Sequence, residues 1–251
     1  MTKILIINGW TKQGDEQHIQ ASCILQKNIF ESLIKNYLPN SQVNTCDTYD
    51  ENEIINVDNY DAFMWTGGGG NIYEKNSHNY LQLKLCEKIM EKKKPIWGSC
   101  WGMQVIITAL GGSVKKSQKP EFGYSKNINI TSSTLNNSIY KDKNNIFDAP
   151  AHHYDIVNQL PTEFEIISEN EICIQSIYST SSNIFCTQYH SELPYDYIAS
   201  LMLFWKENYK NFFSETKFNE ILRYLEIKEK EDKGQRLKEI DNWLSFLTNS
   251  L

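Results

Sequence analysis

The chain has 251 residues, with 25 Lys and Arg against 31 Asp and Glu, so its formal net charge is −6. This acidic balance argues against nucleic acid or an anionic membrane surface as a partner. Hydrophobic residues at 40% and aromatic residues at 12% indicate a packed globule rather than a disordered chain. The length suits one large domain, or one domain with an appendage.

The apolar runs, cysteines and histidines of the chain indicate its cellular compartment and whether it binds a metal. The apolar run Ile4-Leu5-Ile6-Ile7 has the length of a strand, too short for a membrane span or a signal peptide. We therefore expect a cytoplasmic protein without a membrane partner. The six cysteines form no Cys-x-x-Cys pair, and the five histidines show no ligand spacing. We expect free thiols, no metal and no cofactor.

The first half of the chain alternates strand-like and helical segments. Apolar, β-branched runs predict strands over Lys3–Asn8, Val43–Cys46, Tyr60–Trp65 and Pro95–Gly98. Apolar residues at helical spacing predict helices over Gln20–Tyr37, Tyr80–Met90 and Gly102–Leu110. This alternation predicts an α/β fold with a mostly parallel, doubly wound sheet, whose ligands bind beyond the carboxyl ends of the strands.

The second half has a different texture. Short strand-like runs separated by Asn- and Ser-rich turns predict a small additional antiparallel sheet, with strands over Ile128–Thr131, Glu165–Ser168, Ile172–Ile177 and Ile184–Gln188. Helical patterns return after Tyr195. We expect a main domain over residues 1–204 and a helical C-terminal extension over residues 205–251. That extension has three open interpretations: it covers the sheet edge, forms a homodimer interface or roofs a pocket.

Gly98-Ser99-Cys100-Trp101-Gly102 lies between a predicted strand and a predicted helix. A sharp turn of this kind presents its central side chain at the edge of the sheet, and the flanking glycines leave room for neighbouring backbone. The helix N-terminus favours a thiolate. Cys100 is therefore a candidate nucleophile, and the alternative is a buried cysteine in a tight turn.

A nucleophilic thiol needs a base, and the base needs a group that orients it. His190 and Glu192 follow a predicted strand, and residues two apart in extended chain point the same way. The carboxylate can then hold the imidazole, although a lone histidine after a strand is more often structural. Thr66-Gly67-Gly68-Gly69-Gly70 ends another predicted strand and can present backbone N–H groups to an oxyanion. A flexible loop or a phosphate cradle are the other interpretations.

These segments together resemble the class I (triad) glutamine amidotransferase family. Gly98 to Gln104 is similar to its Gly-x-Cys-x-Gly-x-Gln motif, and His190-Ser191-Glu192 to its His-Pro-Glu motif. The loop Thr66 to Gly69 resembles its Ser-Gly-Gly-Pro loop, and His152 to Asp155 its Ser-His-x-Asp segment. Gly69 and Ser191 replace the family's prolines, and neither position supplies a reacting side chain. The resemblance covers roughly Lys3 to Phe204.

The resemblance implies the roles of individual residues. Cys100, His190 and Glu192 would form the catalytic triad, and backbone N–H groups of Gly68 and Trp101 the oxyanion hole. Three further residues would seat the α-amino and α-carboxylate groups of a γ-glutamyl substrate: Gln104, His153 and Asp155. Asp155 has a second interpretation as a strand cap.

A narrower likeness extends to stand-alone proteins that resemble the glutaminase domain of GMP synthase, and to the plant γ-glutamyl peptidases. The segments that carry it are Glu121-Phe122-Gly123-Tyr124, Phe147-Asp148-Ala149-Pro150 and the tail after Trp205. It implies hydrolysis of a small-molecule γ-glutamyl compound such as glutathione. We expect no synthetase domain fused to this chain.

The sequence motifs are also compatible with other functions. The chain could be a glutaminase subunit that supplies ammonia to a separate synthetase, or a non-catalytic sensor or scaffold that keeps the fold. A cysteine peptidase or chaperone on the same type of sheet fits the pattern less well, because His190-x-Glu192 and Gln104 match the amidotransferase motifs.

Overall fold

The structure, a computed structural model, describes residues 1–49, 55–131, 138–232 and 234–250. Within these ranges nine strands form one mixed sheet: β1 (Lys3–Gly9), β2 (Gln42–Asp47), β3 (Ala62–Gly68), β4 (Ile96–Ser99), β5 (Ser113–Ile130), β6 (Ile146–Gln159), β7 (Glu165–Glu169), β8 (Ile174–Ser179) and β9 (Ile184–Thr187). Their order across the sheet is β2-β1-β3-β4-β9-β8-β7-β5-β6.

The sheet changes direction at β9. Strands β2, β1, β3, β4 and β9 pair in parallel, which confirms the predicted parallel core. The other edge of β9 pairs antiparallel with β8, and β7, β5 and β6 continue in the antiparallel sense. The prediction of a small additional antiparallel sheet is therefore wrong. The antiparallel strands extend the main sheet because one strand, β9, has partners of both kinds.

Seven α-helices lie in the described residues: α1 (Lys12–Gln20), α2 (Gln26–Tyr37), α3 (Ser77–Met90), α4 (Trp101–Ala109), α5 (Tyr195–Phe204), α6 (Glu215–Glu231) and α7 (Lys238–Ser250). The helix predicted from Gln20 begins at Gln26, because Ser22 adopts a left-handed conformation with φ of 59° between α1 and α2. Among the described residues, none of the helices combines the length and the apolar character needed to cross a bilayer.

Alternate residues of β1 build the cores on the two faces of the sheet. Ile4 and Ile6 pack with the apolar side chains of α2 and α7. Leu5 and Ile7 point to the opposite face and pack with α3 and α4. A third apolar cluster joins α5 and α6 to Phe122 of β5. Burial on both faces explains why β1 reads as a continuous apolar run.

The C-terminal helices are fixed to the main body by buried polar contacts as well as by apolar packing. Glu239 of α7 accepts hydrogen bonds from the Lys143 ammonium at 2.8 Å and from the Tyr189 hydroxyl at 2.5 Å. Arg236 donates to the backbone oxygen of Ser191 at 2.6 Å. The extension therefore holds the segment that carries His190 and Glu192. The division at residue 204 stays a prediction.

We expect Glu239→Gln to lower the free energy of unfolding by about 3 kcal/mol, because it leaves the buried Lys143 ammonium without its carboxylate. The side chains of Lys143 and Glu239 are only 2% and 0% exposed. Urea denaturation followed by circular dichroism measures the change. Glu87→Gln is the control: it removes the surface pair with Lys84 and should leave the free energy of unfolding nearly unchanged. If the two variants changed the free energy of unfolding equally, the buried pair of Lys143 and Glu239 would contribute no more to stability than a surface pair.

Candidate active site

Cys100 occupies the turn between β4 and α4 in a strained backbone conformation, with φ of 49° and ψ of −97°. The flanking residues must be small. A Cβ atom on Gly98 would lie 2.9 Å from Ile106 Cδ1, and one on Gly102 would lie 2.7 Å from Trp65 Cβ. Such close contacts explain the glycines on either side of the cysteine, and the turn places the sulfur at the N-terminus of α4.

His190 and Glu192 follow β9 and pair with each other. Nδ1 of His190 lies 2.6 Å from Oε1 of Glu192, and the Glu192 side chain is fully buried. The other carboxylate oxygen accepts a hydrogen bond of 3.0 Å from Ser99 Oγ, which itself accepts one of 2.8 Å from the Trp97 indole. Both carboxylate oxygens are thus held, and the orientation of the imidazole follows from this chain of contacts.

The charge state of His190 reflects two opposed influences. Burial lowers its pKa, but the Glu192 carboxylate and hydrogen bonds to Cys100 and Glu192 outweigh burial and raise the pKa from 6.5 to about 10. The structure therefore brings Cys100, His190 and Glu192 together, and the raised pKa of His190 keeps its imidazole protonated at neutral pH. Gln188 adds a further contact, 3.5 Å from its Nε2 to the cysteine sulfur.

The glycine segment at the end of β3 packs tightly beside this array. A Cβ on Gly67 would lie 2.8 Å from His190 Cε1, and one on Gly68 would lie 2.4 Å from the Gly9 oxygen. Trp101 is the first residue of α4, a position whose backbone N–H has no acceptor within the helix. Gly68 and Trp101 line the same cavity as Cys100, so both can present backbone to a group bound there.

This cavity has a volume of about 440 Å³ and opens beyond the carboxyl ends of β3 and β4, where a parallel sheet places its ligands. Trp205, Asn208 and Tyr209 of the C-terminal extension line it, which favours the roof among the three interpretations of that segment. The other lining residues come from the main body: Trp10, Gln17, Gly68, Gly69, Gly70, Cys100, Trp101, Gln104, His152, His153, Tyr154, Asp155 and Phe204.

The three residues that the resemblance assigned to substrate binding all line this cavity, but their side chains differ in availability. Asp155 accepts a hydrogen bond of 3.2 Å from the Tyr73 hydroxyl, and burial raises the pKa of its carboxyl group. Gln104 is 3.4 Å from the backbone oxygen of Asp155. Both ring nitrogens of His153 already contact protein atoms, the oxygen of Asp155 and the carboxylate of Glu121. The side chain of His153 is therefore better placed to hold β6 in position than to bind a ligand.

A second cysteine–histidine–carboxylate group lies in the interior. The ligand atoms of Glu121, His153 and Cys173 all lie within 4.8 Å of one another, the spacing that a metal ion requires, and no other such group occurs in the described part of the chain. Glu121 already accepts hydrogen bonds of 2.8 Å from Asn170 and 2.7 Å from Gln175. Its carboxylate is thus satisfied without an ion.

The thiol of this interior group differs from Cys100. Burial and the Glu121 carboxylate raise the pKa of Cys173 far above its usual value, so it stays a neutral thiol. It does not belong to the lining of the cavity. Cys173 therefore lacks the ionisation that a nucleophile needs and lies outside the cavity.

Sequence reasoning missed several residues around the site. Tyr73 follows the glycine segment that ends at Gly70 by three residues, so its position near the site had a sequence signal. Gln188 lies two residues before His190, and extended geometry would have placed it on the same side. Trp10 and Trp205 are distant in sequence from every motif and had no such signal.

Comparisons with known proteins identify the family. Residues 4–204 match the family model described as glutamine amidotransferase class-I. A γ-glutamyl-L-1-hydroxyisopropylamide hydrolase of a Pseudomonas species is 30% identical over 203 residues, covering 76% of this chain and 68% of that protein. A GMP synthase (glutamine-hydrolyzing) of Petrotoga mobilis is 33% identical over 147 residues, or 58% of this chain but only 27% of the synthase.

Solved structures share the fold. A glutamine amidotransferase of Thermotoga maritima superimposes with a TM-score of 0.70 at 21% identity, covering 97% of this chain and 98% of that one. A glutamine amidotransferase of Methylobacillus flagellatus gives a TM-score of 0.71 at 16% identity, covering 100% and 96%. The chain therefore belongs to the class I glutamine amidotransferase family, as its motifs predicted.

We expect iodoacetamide to alkylate Cys100 faster than any other thiol, because it lines an open cavity beside a positively charged imidazole. Cys23 is the informative comparison: it is more exposed than Cys100, but burial and the nearby Asp196 raise its pKa to about 11. Peptide mass spectrometry over a time course measures both rates. Preferential labelling of Cys23 would show that exposure, rather than the electrostatics of the turn, controls reactivity.

Proposed function

We propose that this protein hydrolyses γ-glutamyl amide bonds through a thioester between the γ-carbonyl carbon and the sulfur of Cys100. The observation that carries the proposal is the grouping of Cys100, His190 and Glu192 beside a cavity that Asp155 and Gln104 also line. A nucleophile, an oriented acid–base group and a polar end for the α-amino and α-carboxylate groups are what this reaction requires.

In the first half of the reaction the Cys100 sulfur attacks the γ-carbonyl carbon, its proton having passed to His190. The negative charge that develops on the carbonyl oxygen is held by the backbone N–H groups of Gly68 and Trp101. His190 then gives its proton to the leaving nitrogen as the C–N bond breaks. The products of this half are the free amine and the γ-glutamyl thioester.

In the second half a water molecule attacks the thioester carbon. His190 takes a proton from that water as the new C–O bond forms, and keeps it while the C–S bond breaks and the sulfur leaves as a thiolate. Glutamate leaves and the enzyme returns to its starting state. Glu192 keeps the imidazole in one orientation and stabilises its positive charge throughout, while Ser99 holds the carboxylate in place.

At the far end of the cavity we assign the substrate's ammonium group to the Asp155 carboxylate, since opposite charges attract most strongly in a partly buried site. Tyr73 fixes that carboxylate through its hydroxyl group. The Gln104 side chain offers neutral hydrogen bonds to the substrate's α-carboxylate. The similarity to the Pseudomonas hydrolase supports a γ-glutamyl amide of an organic amine as the substrate, and glutathione is a second candidate.

A second candidate function is a glutaminase subunit that delivers ammonia to a separate synthetase. The similarity to GMP synthases favours it. Glutamate release from glutamine that rises only after a purified synthetase and its acceptor substrate are added would support this function. A rate independent of any partner supports the stand-alone hydrolase instead.

We expect Cys100→Ala to reduce glutamate release by roughly 10⁴-fold or more, because no other group can form the thioester. The substrates to test are glutamine, glutathione and γ-glutamyl-1-hydroxyisopropylamide. Cys173→Ala is the matched control, since it removes a thiol from the second cysteine–histidine–carboxylate group and should leave most activity. If reduced wild-type protein releases no glutamate from any of these substrates, the proposal is wrong.

The pH dependence provides a separate prediction for Glu192. With its pKa raised to about 10, His190 stays protonated at neutral pH, and kcat/KM should fall only as the pH rises through that value. Glu192→Gln removes the carboxylate charge, the largest influence that raises this pKa, and leaves burial opposed mainly by the interaction with Cys100. The alkaline limb should then move to lower pH by more than one unit, and kcat should fall by roughly tenfold or more. An unmoved alkaline limb would contradict the assigned role of Glu192.

A further inference from the structure

The proposed reaction fixes which side of the cavity receives the leaving amine. His190 must reach the leaving nitrogen, so the amine lies on the His190 side, and Asp155 marks the opposite, glutamyl end. His18 and His152 are electrostatic neighbours of His190. Their rings contact Trp205, with centroids 5.9 and 5.6 Å apart, and His18 also contacts Trp10 at 4.3 Å. The two tryptophans therefore line the cavity beside these histidines.

A polar groove of about 410 Å³ continues from this side of the cavity. It shares Trp10, Gln17, Gly69 and Gly70 with the cavity and runs along the start of α1 and α3. Its remaining lining residues are all uncharged or histidine: Thr11, Gln13, Gly14, Asn76, Ser77, His78 and Asn79. A leaving group larger than ammonia would extend into this groove.

The residues that line the cavity and the groove include few positively charged groups. Among the described residues that line them there is no lysine or arginine, and Asp155 is the one carboxylate. Burial and the neighbouring imidazoles lower the pKa of His152 to about 3, so its ring is neutral. Burial also lowers the pKa of His78. The charge of the His190 imidazolium is balanced by Glu192 at 2.6 Å.

Lys75 and Lys206 adjoin the lining residues Asn76 and Trp205 in sequence, but neither belongs to the lining of the cavity or of the groove. Two further lysines lie close to the lining. Lys116 is exposed and lies opposite Asp155 in the β5–β6 ladder, at the glutamyl end. Lys12 lies between two groove residues, Thr11 and Gln13, but its side chain is exposed and outside the lining. A carboxylate on the leaving group would therefore lose water against neutral and aromatic side chains without gaining a cationic side chain as a partner.

We propose that the leaving-group side of this site selects uncharged amines and discriminates against amines that carry a carboxylate. This inference rests on the proposed γ-glutamyl hydrolase function and narrows its substrate class. The preferred substrates are then γ-glutamyl amides of neutral, partly apolar amines, which contact Trp10 and Trp205. Glutathione, whose leaving group is a dipeptide with a free carboxylate, becomes a poor substrate.

The test compares two substrates of nearly equal size, γ-glutamylglycine and γ-glutamylglycinamide, with wild-type protein at neutral pH. We expect kcat/KM to be at least about tenfold higher for the glycinamide. The ratio should persist in 0.5 M NaCl, since local desolvation is screened much less than the long-range field of an acidic protein. Equal rates, or a ratio that vanishes in salt, would overturn the inference while leaving the hydrolase function intact.

Charge insertion provides the converse test. Gln17→Lys and Asn208→Lys each place a cation on the lining and should raise the γ-glutamylglycine to γ-glutamylglycinamide ratio several-fold. Gln42→Lys adds the same charge on the exposed face of β2, away from the cavity, and should leave the ratio unchanged. The same ratio in all three variants would contradict a local origin. Hydrolysis of neither substrate, nor of glutamine, would instead overturn the hydrolase function.

Discussion

The chemistry assigned to this protein depends on one buried hydrogen bond, between Nδ1 of His190 and the Glu192 carboxylate at 2.6 Å. A carboxylate with no access to water interacts strongly with a neighbouring charge, because the local dielectric is low. That interaction overcomes the burial of the imidazole and keeps its proton available at neutral pH. Without it, only the interaction with Cys100 would oppose the burial of His190, and burial with neighbouring imidazoles keeps His152 neutral.

The fold supports this interaction from two directions. Ser99, one residue before the strained cysteine, holds the Glu192 carboxylate, so the nucleophile turn and the acid–base pair are fixed by the same few residues of β4. From the C-terminal side, Arg236 holds the backbone oxygen of Ser191, and Glu239 holds the Tyr189 hydroxyl. The extension thus supports the segment from Tyr189 to Glu192 and also contributes Trp205 to the cavity.

The sequence predicted the parallel core, the nucleophile turn and the His190–Glu192 pair as local patterns, because each lies within a few residues. Three features lay beyond such reasoning. Helix α1 buries Gly14, Asp15 and His18 rather than an apolar face, so apolar periodicity gives no signal. The continuity of the sheet depends on β9 having one parallel and one antiparallel edge. The interior group of Glu121, His153 and Cys173 joins three distant segments whose proximity only the topology reveals.

Direct detection of the thioester tests the central claim most sharply. Protein mixed with γ-glutamyl-p-nitroanilide and quenched rapidly in acid should release a burst of p-nitroaniline where hydrolysis of the thioester limits turnover. Mass spectrometry of the digested protein should then find one γ-glutamyl group on the peptide that contains Cys100. A γ-glutamyl group on the Cys173 peptide, or steady turnover by Cys100→Ala, would contradict the account.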